Sequence, residues 1–117
     1  MSGATSHHAG RSAERIVAGL YAESGCVLLE ERWRGEAGEI DLILAEGEGV
    51  IFVEVKKAAS FARAADRVSP RQRRRLLEAA AEYLGRMPRG ELTEARFDVA
   101  LVDGHGRVEV LQNALAP

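Results

Sequence analysis

Cysteine occurs once in the 117 residues, at Cys26. That excludes a disulfide framework and a cysteine-rich metal site, and it fits a reducing compartment such as the cytoplasm. No apolar run approaches the roughly 18 residues of a membrane span. Met1 to Gly10 carry no apolar core of a secretory signal. Residues 1–9 read instead as a disordered N-terminal tail, with His7 and His8 idle in it. No repeat or low-complexity segment is present. A basic excess is also missing: the net charge is −2, which argues against a simple electrostatic DNA binder.

What remains is the composition of an ordinary folded protein, 46% apolar and 29% charged. The length suits one core, so residues 10–117 are expected to form a single domain. The charge is distributed unevenly. Acidic side chains far outnumber basic ones between residues 23 and 54, whereas every basic residue between 61 and 90 is arginine. An acidic patch beside an arginine-rich one suits a metal-dependent enzyme working on a polyanion, although two solvated surfaces would look the same by charge alone.

Helical spacing of Ala13, Ile16, Val17, Leu20 and Tyr21, closed by Gly25, predicts a helix from about Ala9 to Ser24. A first strand is expected over Val27 to Trp33. Residues 58 to 68 read as a mobile loop. Ser69-Pro70-Arg71-Gln72 then opens a second helix with an N-cap serine, proline in the first helical position and a glutamine placed for a capping box. Gly85 and Pro88 end it. Arg96 to Val102 and Arg107 to Leu111 are the last strands. The order is α-β-β-β-α-β-β, an α/β fold with a mixed sheet of four to five strands and flanking helices. The second helix serves as a parallel crossover.

The richest stretch is a hairpin. Gly38-Glu39-Ile40-Asp41-Leu42-Ile43-Leu44 and Val50-Ile51-Phe52-Val53-Glu54-Val55-Lys56 flank a short loop. With a two-residue turn at Gly47 and Glu48, Asp41 lies across from Glu54, and Glu39 across from Lys56. Alternation then places Ile40, Leu42 and Leu44 with Ile51, Val53 and Val55 on one face. Opposed residues have Cβ atoms roughly 4.5–5.5 Å apart, where like charges destabilise the pair. Two carboxylates held so need a proton or a cation between them. A hard divalent ion such as Mg²⁺ (or Mn²⁺) suits them, and the chemistry suggested is metal-assisted phosphodiester hydrolysis.

Gly38-Glu39-Ile40-Asp41-Leu42, then Phe52-Val53-Glu54-Val55-Lys56, then Arg96-Phe97-Asp98-Val99 resemble the YraN family of small bacterial proteins. That family is similar to archaeal Holliday-junction resolvases and implies the restriction-endonuclease-like fold with its Asp…Glu-x-Lys signature. By this resemblance Asp41 and Glu54 are metal ligands, Lys56 stands beside them, and Glu14 on the first helix adds an acidic group near the metal. A homodimer is implied too, because symmetric cutting of a junction needs two active sites. The chain departs from the family's pattern at Ala58 and Gln72, where basic residues are usual.

Arg71, Arg73, Arg74 and Arg75 crowd the first turns of the second helix, where they oppose the macrodipole. Phosphate contact explains them better than helix stability does. Arg71, Gln72, Arg74, Arg75 and Lys57 are therefore the candidate nucleic-acid contacts, with Gln72 more simply explained as a capping residue. Lys56 would stabilise charge developing on phosphate, and Glu39 would tune Lys56. Glu14 could equally pair with Arg11 or Arg15. Trp33 and Tyr83 read as core, and His105 as a turn residue. The expected function is a metal-dependent endonuclease acting on structured or branched DNA, with DNA as partner and no membrane. The alternative is a catalytically inactive nucleic-acid-binding or adaptor module on a nuclease scaffold.

Overall fold

The computed structural model describes the backbone of residues 2–57 and 68–115, and the side chains from Ser12 onward within them. Helix α1 runs Ser2–Glu23, followed by strands β1 (Val27–Arg34), β2 (Glu39–Glu46) and β3 (Gly49–Lys57). Helix α2 (Pro70–Leu84), a short 3₁₀ turn (Gly90–Leu92), β4 (Ala95–Val102) and β5 (Val108–Leu111) complete the chain. The order is the expected α-β-β-β-α-β-β. The loop expected over 58–68 lies outside the described residues up to position 67. Among the described residues no helix is long and apolar enough to cross a membrane.

The five strands lie in sequence order, with β3 and β4 parallel and every other neighbour antiparallel. Helix α2 makes the crossover between the parallel strands. It begins as its sequence dictates: Ser69 Oγ accepts from Gln72 N at 3.1 Å and Pro70 occupies the first turn. Leu76, Ala79, Ala80 and Tyr83 bury its inner stripe against Trp33, Ile43, Phe52 and Phe97. Helix α1 covers the opposite face, where Ala13, Val17 and Tyr21 pack on Leu42, Leu44, Ile51 and Val53. Ile16 and Leu20 stay 40% exposed at the rim. Gly25, at φ +91, ends α1 in the left-handed turn that a glycine adopts without strain.

Two expectations are corrected here. The first helix starts at Ser2 rather than near Ala9, so the stretch expected as a disordered tail (1–9) is drawn into α1 from Ser2 onward. No proline interrupts it, and once the packed turns exist each further residue adds one hydrogen bond. The second correction concerns Ile40, which does not share a face with Leu42. It packs with Trp33, Ile43 and Phe52 on the α2 side, while Leu42 packs on the α1 side.

The pleat of β2 changes between Ile40 and Leu42. The β1–β2 pairs Glu31↔Leu42 and Trp33↔Ile40 on either side keep one register, with an irregularity earlier, between Leu28 and Glu30. Arg32 itself has φ 49. A left-handed conformation costs an L residue about 1–2 kcal/mol. Ile40 is fully buried beyond the kink, and full burial of an isoleucine contributes about 1.5–3 kcal/mol. Packing outweighs the local strain.

Asp98 ties the layers together. It alternates with the apolar residues of β4 and is wholly buried. Tyr21 Oη donates to its Oδ2 at 2.6 Å, Arg96 Nε to its Oδ1 at 3.0 Å, and Asn113 N to its Oδ1 at 2.9 Å. Burial and then the hydrogen bond to Asp98 push the Tyr21 hydroxyl well above its ordinary range, so it stays a donor. Removing the acceptor strands three donors at once. Asp98→Ala is therefore expected to lower unfolding stability by about 3–5 kcal/mol. Tyr21→Phe, which removes one charge-assisted hydrogen bond, should lose about 1.5–3 kcal/mol. Urea unfolding measures both, and equal losses would contradict the assignment of Asp98 as the shared acceptor.

Candidate metal centre

The site begins at the hairpin turn. Gly47, at φ +60, allows a two-residue connection, and the β2–β3 ladder runs from Glu46↔Gly49 to Leu42↔Val53. One step further along that register stand Asp41 and Glu54. The regular ladder ends there, and Val55 N donates to Asp41 Oδ2 at 2.8 Å instead of to a strand carbonyl. A carboxylate takes the place of backbone, which fixes the Asp41 side chain beside β3.

Glu54 lies on the α2 face of a central strand and is only 6% exposed. Its Oε2 accepts from Gln72 Nε2 at 2.9 Å and stands 3.4 Å from Lys56 Nζ. Burial pushes the Glu54 carboxyl up to about 8, aided by its hydrogen bond to Asp41 and by Asp41's charge, with Lys56 opposing. At neutral pH the Glu54 carboxyl therefore holds a proton beside Asp41. That proton marks the place of a missing positive charge, and a divalent cation answers the same need. Asp41 and Glu54 are the residues that would hold it, and two carboxylates with open positions suit Mg²⁺ or Mn²⁺.

Glu14 reaches the region from α1 but is turned aside. Arg32 Nε donates to Glu14 Oε2 at 3.1 Å. Burial raises the Glu14 carboxyl above its ordinary range, against the pull of Arg32, and Asp41 raises it further. The expected pairing with Arg11 or Arg15 gives way to Arg32, which the left-handed backbone aims at the helix. The set of three carboxylates implied by the family resemblance is accordingly not assembled. Among the described residues no three His, Cys, Asp or Glu side chains converge to hold a metal ion.

Other residues stand differently from expectation. Glu39 is not paired with Lys56, because the β2–β3 ladder ends at Leu42↔Val53. On its other edge it pairs with Arg34 in β1, and their charges lie 3.8 Å apart. Gln72 is capped through its own backbone N–H, while its side chain reaches Glu54 rather than returning to Ser69. Helical spacing brings Gln72 and Arg75 to one cleft of about 160 Å³, lined also by Gly38, Glu39, Glu54 and Leu76. Arg71 and Arg74 are exposed on the same helix, and Lys57 is exposed at the end of β3. Arg73 instead donates to Leu115 O at 3.2 Å, tying the helix to the C-terminal segment. Trp33 and Tyr83 pack edge to face with centroids 5.3 Å apart, as core residues do. His105 N donates to Asp103 Oδ1 within its turn. Sequence reasoning missed Arg32 altogether. Asp98 was legible only as a charge at a buried position of an alternating strand, which demands partners.

The Glu54 proton sets a pH dependence. Glu54 holds its proton up to about 8 in the folded protein against an ordinary value of 4.5. Between those limits the folded state binds more proton than the unfolded chain, so this group lowers stability as pH rises. In chelator-treated protein the urea midpoint should fall from about pH 5 to pH 8 and then level. Glu54→Gln should flatten that decline. A midpoint changing over this window by an equal amount in both proteins would refute the raised Glu54 carboxyl.

The comparisons with known proteins bear on the family to which the chain belongs. A family model described as "Uncharacterised protein family UPF0102" matches residues 13–102, a span that includes both carboxylates, Lys56 and α2. A UPF0102 protein of Cereibacter sphaeroides is 57% identical over 116 residues, covering 99% of each chain. One from Ruegeria pomeroyi is 53% identical over 112 residues, covering 96% of this chain and 91% of its own. Another, from Dinoroseobacter shibae, is 45% identical over 104 residues, covering 89% and 78% respectively. With the motifs, the fold order and these similarities in agreement, the chain belongs to the UPF0102 family, also called the YraN family.

Proposed function

We propose that this protein is a metal-dependent phosphodiester hydrolase of nucleic acid, with structured or branched DNA as its substrate. The observation that carries the reading is the buried Glu54 carboxyl set against the half-buried Asp41, which raises its pKa although Lys56 stands 3.4 Å away. A pair of this kind is unfavourable for folding alone, and such perturbed groups concentrate at functional sites. Asp41 and Glu54 would hold a divalent cation, which would supply Lewis-acid activation of the phosphodiester and of a water nucleophile.

The chain's own residues supply the rest. Gln72 holds Glu54 in one orientation through its amide. Lys56, partly exposed beside Glu54, presents an ammonium to the charge that develops on the phosphate. Arg75 faces the cleft, and Arg71, Arg74 and Lys57 extend a basic surface from it along which a phosphate backbone can lie. In the homodimer that a branched substrate calls for, two such sites would act on symmetry-related strands.

One observation favours the second reading, a nucleic-acid-binding or adaptor module without catalysis. Only two carboxylates meet, since Glu14 is engaged by Arg32. The two readings separate in one experiment, in which purified protein is incubated with four-way junctions, flaps, single strands and linear duplex in Mg²⁺ or Mn²⁺. Cleavage is expected on branched DNA, abolished by chelator, and reduced at least about 100-fold in Asp41→Asn and Glu54→Gln and about 100- to 1,000-fold in Lys56→Ala. Retention of DNA without cleavage under every condition would select the adaptor. In either case Arg74→Ala should weaken binding similarly across sequences and reduce the salt slope by about 1. A fluorescence-anisotropy titration at several salt concentrations reads that slope.

A further inference from the structure

Arg32 combines features that the proposed chemistry does not account for. It is a non-glycine residue at φ 49, in the middle of a strand. Its position in the ladder faces Asp41, between the pairs Glu31↔Leu42 and Trp33↔Ile40. Its Nε donates to Glu14 Oε2 at 3.1 Å, and the two side chains are 33% and 13% exposed. Glu14, Glu39 and Asp41 all favour its charged form. A monovalent cation thus stands among the carboxylates, where a divalent one would draw on the same negative charge.

The two cannot be served together. Glu14 Oε2 is committed to the guanidinium, and a second positive charge nearby would be repelled by it across a poorly screened distance. The guanidinium also has somewhere to go. A cleft of about 250 Å³ on the α1 side is lined by Glu14, Arg15, Glu31 and Arg32, and it opens beside the ion pair.

We propose that Arg32 is a built-in counter-ion: it holds Glu14 away from the Asp41–Glu54 pair and releases it when a divalent cation binds. Arg32 is then a positioning residue that sets the affinity of the centre for its cation. This inference rests on the hydrolase reading above. It explains why three acidic residues surround the region while only two converge.

The test is calorimetric titration of MnCl₂ into the full-length, chelator-treated protein. Asparagine is the substitution of choice, because it adopts the left-handed backbone more readily than most residues. Circular dichroism checks that each variant is folded. Arg32→Asn is expected to tighten the Mn²⁺ dissociation constant about tenfold, within the 5- to 150-fold range usual for coupled sites. Arg32→Lys, which restores a cation, should return the affinity toward the wild-type value. Adding Glu14→Gln to Arg32→Asn should remove the gain. Unchanged or weaker binding in Arg32→Asn, or a gain that survives Glu14→Gln, would overturn the inference. If Mn²⁺ binds and Asp41→Asn abolishes that binding, such a result leaves the hydrolase reading standing. Absence of Mn²⁺ binding in the wild type and all variants would end both.

Discussion

A two-residue turn at Gly47 and Glu48 sets the register of β2 against β3, and that register carries Asp41 to the buried Glu54, whose carboxyl is held above its ordinary range. Apolar residues on both faces of the hairpin resist any slip, since a shift of one residue would turn charges into the cores. Strand pairing therefore enforces a contact that electrostatics opposes. Because α2 packs over this face of β3, Glu54 is left only 6% exposed, at the cleft it shares with Gln72 and Arg75. Its relief comes from a proton, from Gln72 and from Lys56.

The helices determine what surrounds that contact. Helix α2 starts at a fixed serine cap, so the residues of its first turns fall at defined places: Gln72 on Glu54, Arg75 at the cleft, Arg71 and Arg74 outward. Helix α1 is held on the other face by Val17 in the core and by Tyr21 on Asp98. That attachment brings Glu14 within reach of the carboxylates, and Arg32 then decides what Glu14 does. The centre is built across a sheet from both layers, with each layer contributing one carboxylate-directed contact.

Much of this could be read along the chain because it follows from local rules. Ser69-Pro70-x-Gln72 specifies a helix start, Gly25 a helix end, and Gly47 a tight turn, each through the conformations those residues allow. The alternation of β3 and the crossover length of α2 lead to the parallel β3–β4 pair. The readings that failed share a different cause. The face of Ile40 and the engagement of Glu14 go with the left-handed backbone at Arg32, and Glu39 lies past the end of the β2–β3 ladder. Alternation assumes an unbroken pleat, and arginine gives no sign of a left-handed backbone. Gln72 misled in another way, since its backbone and side chain serve two different partners.

The amino-acid order alone established the elements, their sequence, the hairpin register and the identity of the two opposed carboxylates, because these depend on neighbours a few residues apart. Folding decided which groups those carboxylates meet. Burial of Trp33 and Ile40 against α2 repays the strain at Arg32, and that rotation of the strand gives Glu14 to a guanidinium. The outcome depends on packing between distant segments, which no local pattern encodes.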